Sequence, residues 1–178
     1  MNTKKLFFSI FALLSALFLF SACSTNDPDI NNTVKTPGNL TVKLTTSTYK
    51  GEYSPQHVLA IWVESNGGTF VKSLKVGAAE RKQYLTNWLK ATSSGNTTDA
   101  VTGATLRSHA THNLTWDGTD TSGAIVGDGT YKVCVEYTED NRTGKYTTFT
   151  FAKGTSADSQ SPATASGVSD VLLTWTPE

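Results

Sequence analysis

From Tyr131 to Tyr137 every second residue is large and apolar: Tyr131, Val133, Val135 and Tyr137 alternate with Lys132, Cys134 and Glu136. A period of two marks a strand, because successive side chains leave opposite sides of an extended backbone. Short segments of this kind, each bounded by turn residues, recur along the chain and constrain its fold more than any other feature. Leu40 to Leu44 alternates in the same way. Gln56 to Glu64 contains the unbroken apolar run Val58 to Val63, as a central strand does. Asn66, Gly67 and Gly68 tolerate positive φ and read as a hairpin turn, with Phe70 to Val76 as the returning strand. His112 to Trp116 reads as a strand, and Asp117 to Gly129, dense in Gly and Asp, as turns. Asn141 to Gly144 is a second hairpin turn, with Lys145 to Ala152 as its return, and Val168 to Trp175 is the last strand. Only Ala78 to Lys90 carries a helical period, with Tyr84, Leu85, Trp88 and Leu89 on one face. Ala91 to Ala104, rich in Ser, Thr and Gly, reads as a loop. The sum is about seven antiparallel strands with one short helical insertion, an all-β chain expected to form an immunoglobulin-like β-sandwich.

The sandwich is expected over residues 39–178. Ahead of it, Lys4 and Lys5 precede an apolar run from Leu6 to Phe20, too short to span a membrane comfortably and long enough for an export signal. Phe20-Ser-Ala-Cys23 resembles a lipobox, in which small residues admit the peptidase and the cysteine thiol is lipidated first; Phe20 stands where Leu is usual. Residues 1–22 are thus expected to be a lipoprotein signal peptide, Cys23 the lipid attachment site, and 23–38 a polar tether without periodicity. Ordinary secretion with cleavage near Ala22 is the other reading. Ser24 after the cysteine favours the outer membrane, by the sorting pattern of bacterial lipoproteins.

A lipid on Cys23 leaves Cys134 without a partner for a disulfide, and its strand context makes it a packing residue rather than a nucleophile. Loss of Lys4 and Lys5 leaves thirteen basic against fifteen acidic residues, with no basic stripe for nucleic acid. No nucleophile elbow, zinc-protease motif or phosphate-binding glycine loop is present. Asp117, Asp120 and Asp128 lack the ligand order of a calcium loop. His109 and His112, three apart at a loop-to-strand junction, do not share a strand face, and no catalytic or metal site is assigned. Arg107 and His109 are near enough in sequence to Thr105 to attend a ligand there, but read more simply as exposed polar residues. Glu139 and Asp140 read as solvated turn residues, and Trp62, Trp88 and Trp116 as core.

Asp99-Ala-Val-Thr-Gly-Ala-Thr105 is the segment that carries chemistry. It resembles the flavinylation motif of proteins that hold covalent FMN, such as the C subunit of the sodium-translocating quinone reductase. The resemblance implies that Thr105 receives FMN through a phosphoester bond from a separate flavin transferase, with Asp99, Thr102, Gly103 and Ala104 as recognition residues. Small residues at 103 and 104 would let a transferase approach the backbone. Outside the cytoplasm a covalent cofactor does not diffuse away, and it brings the redox chemistry with it. Read without the resemblance, Thr102 to Thr105 is a turn before a strand.

The order of Tyr53 to Glu64, Phe70 to Leu74, Tyr84, Leu85, Trp88, the Asp99–Thr105 segment, Leu114 to Gly118, Asp120, Gly123, and Gly129 to Tyr131 is similar to a family of predicted periplasmic proteins designated domain of unknown function 2271. The likeness implies an extracytosolic protein of a kind sometimes associated with membrane redox proteins and flavin transferases. The chain departs from that family at Glu139 to Gly144, where a basic residue and His-Gly are usual. Trp116 to Asp120 with Gly129-Thr-Tyr131 also resembles the immunoglobulin-like domain of flagellar hook-capping proteins, as a fold signature.

Two functions follow. One is a lipid-anchored electron carrier of the cell envelope with FMN on Thr105, served by a flavin transferase and a membrane redox protein. The other is a cofactor-free immunoglobulin-like binding or structural module. Either is favoured over a stand-alone enzyme.

Overall fold

The computed structural model describes residues 34–93 and 95–178. The expected signal peptide, Cys23 and the tether up to residue 33 lie outside the described residues.

Two sheets form. One has four strands in the order β5-β1-β9-β8, the other five in the order β4-β3-β2-β6-β7. Among the described residues the strands are β1 Gly38–Thr46, β2 Val58–Ser65, β3 Phe70–Gly77, β4 Val101–Gly103, β5 Thr111–Trp116, β6 Gly129–Thr138, β7 Lys145–Lys153, β8 Asp158–Gln160 and β9 Val168–Pro177, with one α-helix, α1 Thr86–Thr92. The architecture is the all-β sandwich expected from the alternation. Leu40, Val42 and Leu44 of β1 meet Leu59, Ile61 and Val63 of β2 and Tyr131, Val133 and Val135 of β6 in a single inter-sheet core. Full burial of one such Val or Leu is worth roughly 1.5–3 kcal/mol, so this face carries most of the stability. Trp116, Tyr131, Phe151 and Trp175 close one end as an aromatic cluster, their ring centroids 5.5 to 6.3 Å from Trp116.

Three bulges tune which residues face in. In the β1–β9 pair Lys43 opposes Leu172 and Thr45 opposes Ser169, so Leu44 faces both Asp170 and Val171. Asp170 takes φ 51°, the left-handed conformation that a bulge requires. The extra residue puts Val168 and Val171, three apart, into the same core. In the β2–β3 pair Val71 and Leu74 are extra and enter the main core, while Val76 belongs to the outer face.

That outer face of the five-stranded sheet packs under α1. Val58, Ala60, Trp62, Val76 and Cys134 bury Leu85 and Trp88, and the Trp88 indole N–H donates to Ser73 Oγ at 2.9 Å. The expected helix 78–90 is corrected here: a 3₁₀ turn, Lys82–Tyr84, precedes α1, and Ala78 to Arg81 are not helical. The cause is tertiary. The helix has no side-chain cap of its own. Its first-turn amides of Asn87 and Trp88 donate instead to the buried Glu136 carboxylate of β6, at 3.1 and 2.9 Å. A carboxylate at a helix N-terminus satisfies orphan donors and meets the positive end of the dipole.

Two three-residue strands were not legible. Within the expected 91–104 loop, β4 pairs parallel to β3, Val76 opposite Thr102, so the short crossover through α1 adds a parallel strand to an otherwise antiparallel fold. β8 pairs with β9. The end of the segment assigned as tether is docked: Asp128 Oδ1 and Oδ2 accept from the Thr36 amide and hydroxyl at 2.8 and 2.6 Å.

Candidate functional site

Asp99, Thr102, Gly103, Ala104 and Thr105 lie together along the free edge of the five-stranded sheet. Asp99 starts the segment at φ 57°, its carboxylate 3.3 Å from Lys72 Nζ of β3. The buried Lys72 ammonium also donates to Thr119 Oγ1 at 2.9 Å. At the far end Leu106 and His57 exchange two backbone hydrogen bonds, of 2.9 and 3.0 Å, and the Leu106 side chain packs against the main core. Between these pins, β4 is held only on its β3 side, where the Ala78 amide donates to the Gly103 carbonyl at 3.0 Å. Val101 to Ala104 are exposed and Thr105 is half-buried.

Gly103 is not demanded by the fold. Its φ lies outside the left-handed region, and a Cβ placed on it would meet nothing within 4 Å. The contrast is Gly77 beside it, where a Cβ would press on Leu106 at 3.1 Å.

All three histidines of the chain gather next to this edge, a constellation that sequence reasoning missed. His57 and His109 stack, and Tyr137 stands edge-on to both. The expectation that His109 is exposed is corrected: its side chain is 10% exposed, and His112 beside it is 4% exposed. The hydrogen bonds assign the tautomers. His57 Nδ1 donates to the Pro55 carbonyl at 3.1 Å, and His109 Nε2 donates to Glu139 Oε1 at 2.8 Å. His112 Nδ1 accepts from Lys75 Nζ at 3.1 Å. Its Nε2 therefore carries the hydrogen and cannot act as a base toward Thr46 Oγ1, 3.5 Å away. His57 Nε2 and His109 Nδ1 are buried ring nitrogens without a hydrogen-bond partner among the described residues. Burial pushes His57 down to about 4, against a weaker upward pull from the Pro55 carbonyl. Burial, then the Lys75 charge, brings His112 to about 4 as well.

Glu139 and Asp140 are not solvated. Both are buried. Glu139 Oε2 accepts from the Tyr49 and Gly51 amides at 3.2 and 2.8 Å, and Asp140 Oδ1 from the Glu52 amide at 2.7 Å. Burial opposes charge on Glu139, yet the Gly51 amide, the Thr48 hydroxyl, His109 and the Tyr49 amide together hold its carboxyl down at about 2. The only sequence signal for this arrangement was negative: two adjacent acids in the hairpin where the related family usually places a basic residue and histidine.

Asp117 and Asp120 serve their own loops, and Asp128 ties distant segments together. Asp117 Oδ1 accepts from the Thr119 hydroxyl at 2.6 Å, Asp120 Oδ1 from the Ser122 hydroxyl at 2.6 Å, and Asp128 Oδ1 from Lys153 Nζ at 2.9 Å. Cys134 is buried beneath α1, and burial pushes its thiol up, which is the setting of a packing residue and not of a nucleophile. Among the described residues, no helix is long and apolar enough to cross a membrane.

The fold defines a small all-β sandwich that displays the Asp99–Thr105 segment along one sheet edge. The chain belongs to a family described as predicted periplasmic protein (DUF2271), whose profile matches residues 39–171. No curated protein and no solved structure matches it.

Proposed function

We propose that this chain is a lipid-anchored, extracytosolic electron carrier with FMN attached covalently to Thr105. A separate flavin transferase installs the cofactor: the Thr105 hydroxyl oxygen bonds to the FMN phosphorus of FAD, AMP leaves, and the hydroxyl proton is released. A membrane redox protein supplies or takes the electrons, and the lipid on Cys23 keeps the carrier at that membrane. The protein's part is to position the flavin and tune its surroundings.

The observation that carries this reading is the display of the motif. Asp99 and Leu106 are pinned, while the residues between them lie on an open strand edge that a second protein can reach. Gly103 adds to it, being small without any need of the fold itself. A glycine kept where neither φ nor packing requires it suits close approach by an outside backbone. A segment that served only as a turn would tolerate a side chain there.

The test is the intact mass of the exported chain made together with a flavin transferase. The expected result is a gain of one FMN that Thr105→Ala abolishes with the melting temperature unchanged. An unmodified wild-type mass, with the transferase active on a control substrate, overturns the reading and leaves a cofactor-free envelope module.

A further inference from the structure

We infer that the depression on the outer face of the five-stranded sheet, walled by α1 and β4, is the seat of the isoalloxazine ring of the flavin held on Thr105. This rests on the attachment proposed above and adds where the ring lies and which charge it meets.

The depression has a volume of about 420 Å³, within the roughly 300–1,000 Å³ of small-molecule sites. Val76, Ala78 and Trp88 give it apolar walls, and Thr102 and Gly103 of the motif complete it. A flat aromatic ring wants such a surface on its faces. The tether makes the occupant specific. Gly103 is two residues from Thr105, a span of at most about 7 Å, and the ribityl phosphate arm of FMN reaches back over such a distance. Thr102 lies opposite Val76 in the β4–β3 ladder, and Val76 faces the outer cluster. Leu106 packs into the inter-sheet core. Thr105 lies between Leu106 and the β4 residues Thr102 and Gly103 that line the depression.

Charge separates this seat from the hollow of about 440 Å³ on the other side of β4. There the lysine, Lys72, is already met by Asp99 at 3.3 Å and Asp117 at 3.7 Å. Here the lysine is Lys82, exposed at the rim and in no ion pair among the described residues. The pyrimidine edge of the ring gains electron density when the flavin is reduced, so an unpaired cation beside it favours the reduced form. The stacked pair His57 and His109 offers no rival seat, being buried against Tyr137.

The experiment uses the exported full chain, flavinylated in the cell, with three variants: Lys82→Gln and Ala79→Leu at the depression, and Lys43→Gln on β1 of the opposite sheet. All three positions are exposed. The expected result is the same mass gain in all, a lower flavin midpoint potential in Lys82→Gln, and stronger iodide quenching of flavin fluorescence in Ala79→Leu, where the ring is displaced. Lys43→Gln should match wild type. A normal mass gain with potential and quenching alike in every variant overturns the seat and leaves the attachment standing. No mass gain in wild type, with an active transferase, overturns the attachment and the seat with it.

Discussion

His57 and His109 lie face to face, ring centroids 3.9 Å apart and planes within 2° of parallel. Burial in this stack holds the His57 ring neutral, its pKa pushed down to about 4. His112, with the Lys75 ammonium on its Nδ1, is kept neutral by the same surroundings. The charged and titratable groups facing this cluster are Lys75, Glu139 and Tyr137.

Stability is therefore expected to fall in mild acid. His57 and His112 titrate near 4 when folded and near 6.5 when unfolded. Above pH 6.5 both are neutral in either state. As the pH falls from 6.5 to 4 the unfolded chain takes up protons that the folded one refuses, and unfolding gains on the order of 2–3 kcal/mol for each histidine. Glu139, held near 2 instead of its ordinary 4.5, adds a loss of the same sign between pH 4.5 and 2. Urea midpoints measured from pH 7 to 4 check this, and His57→Phe should flatten the slope. A level wild-type profile would contradict the burial of neutral rings.

Replacing Glu136 tests the borrowed helix cap. Glu136→Ala removes the acceptor of the Asn87 and Trp88 amides and should cost about 2 kcal/mol. The loss should concentrate in α1, seen as faster hydrogen exchange at Asn87 and Trp88 while the β1–β9 ladder stays protected.

Gly103→Ala separates recognition from folding. A Cβ at this position meets nothing within 4 Å, so the melting temperature should hold to within about 0.5 kcal/mol of stability. Flavin attachment by the transferase should fall sharply. Equal attachment rates in both proteins would show that the glycine is not read.

Asp128 holds two distant segments at once, the Lys153 ammonium at 2.9 Å and the Thr36 amide at 2.8 Å. The Lys153 side chain is fully buried. Asp128→Ala leaves that charge without its partner and should cost about 3 kcal/mol. Adding Lys153→Met should recover part of the loss, and a chemical-denaturation cycle of the single and double variants measures the coupling.

Much of the sandwich was legible because its strands each carry their own evidence. Tyr131 to Tyr137 and Leu40 to Leu44 alternate, and a period of two can be buried on one side only as a strand. Asn66-Gly67-Gly68 was legible as a turn for a local reason too, with Gly68 at φ 95°. β4 was not, since three exposed residues carry no period and become a strand only because β3 offers a free edge. The start of α1 was missed because its cap is Glu136, on β6.

The candidate site divides in the same way. The sequence by itself determined the all-β class, the strand faces, the Asp99 to Thr105 motif and the chemistry its residues could offer, since each rests on residues adjacent along the chain. Only the tertiary structure decided that the motif is an open sheet edge pinned by Lys72 and His57. It alone decided that His57, His109 and Glu139 meet, and that the two acids expected in solvent are buried under backbone amides. Those outcomes depend on groups far apart in sequence, and no local pattern encodes which distant partner will satisfy a buried charge or donor.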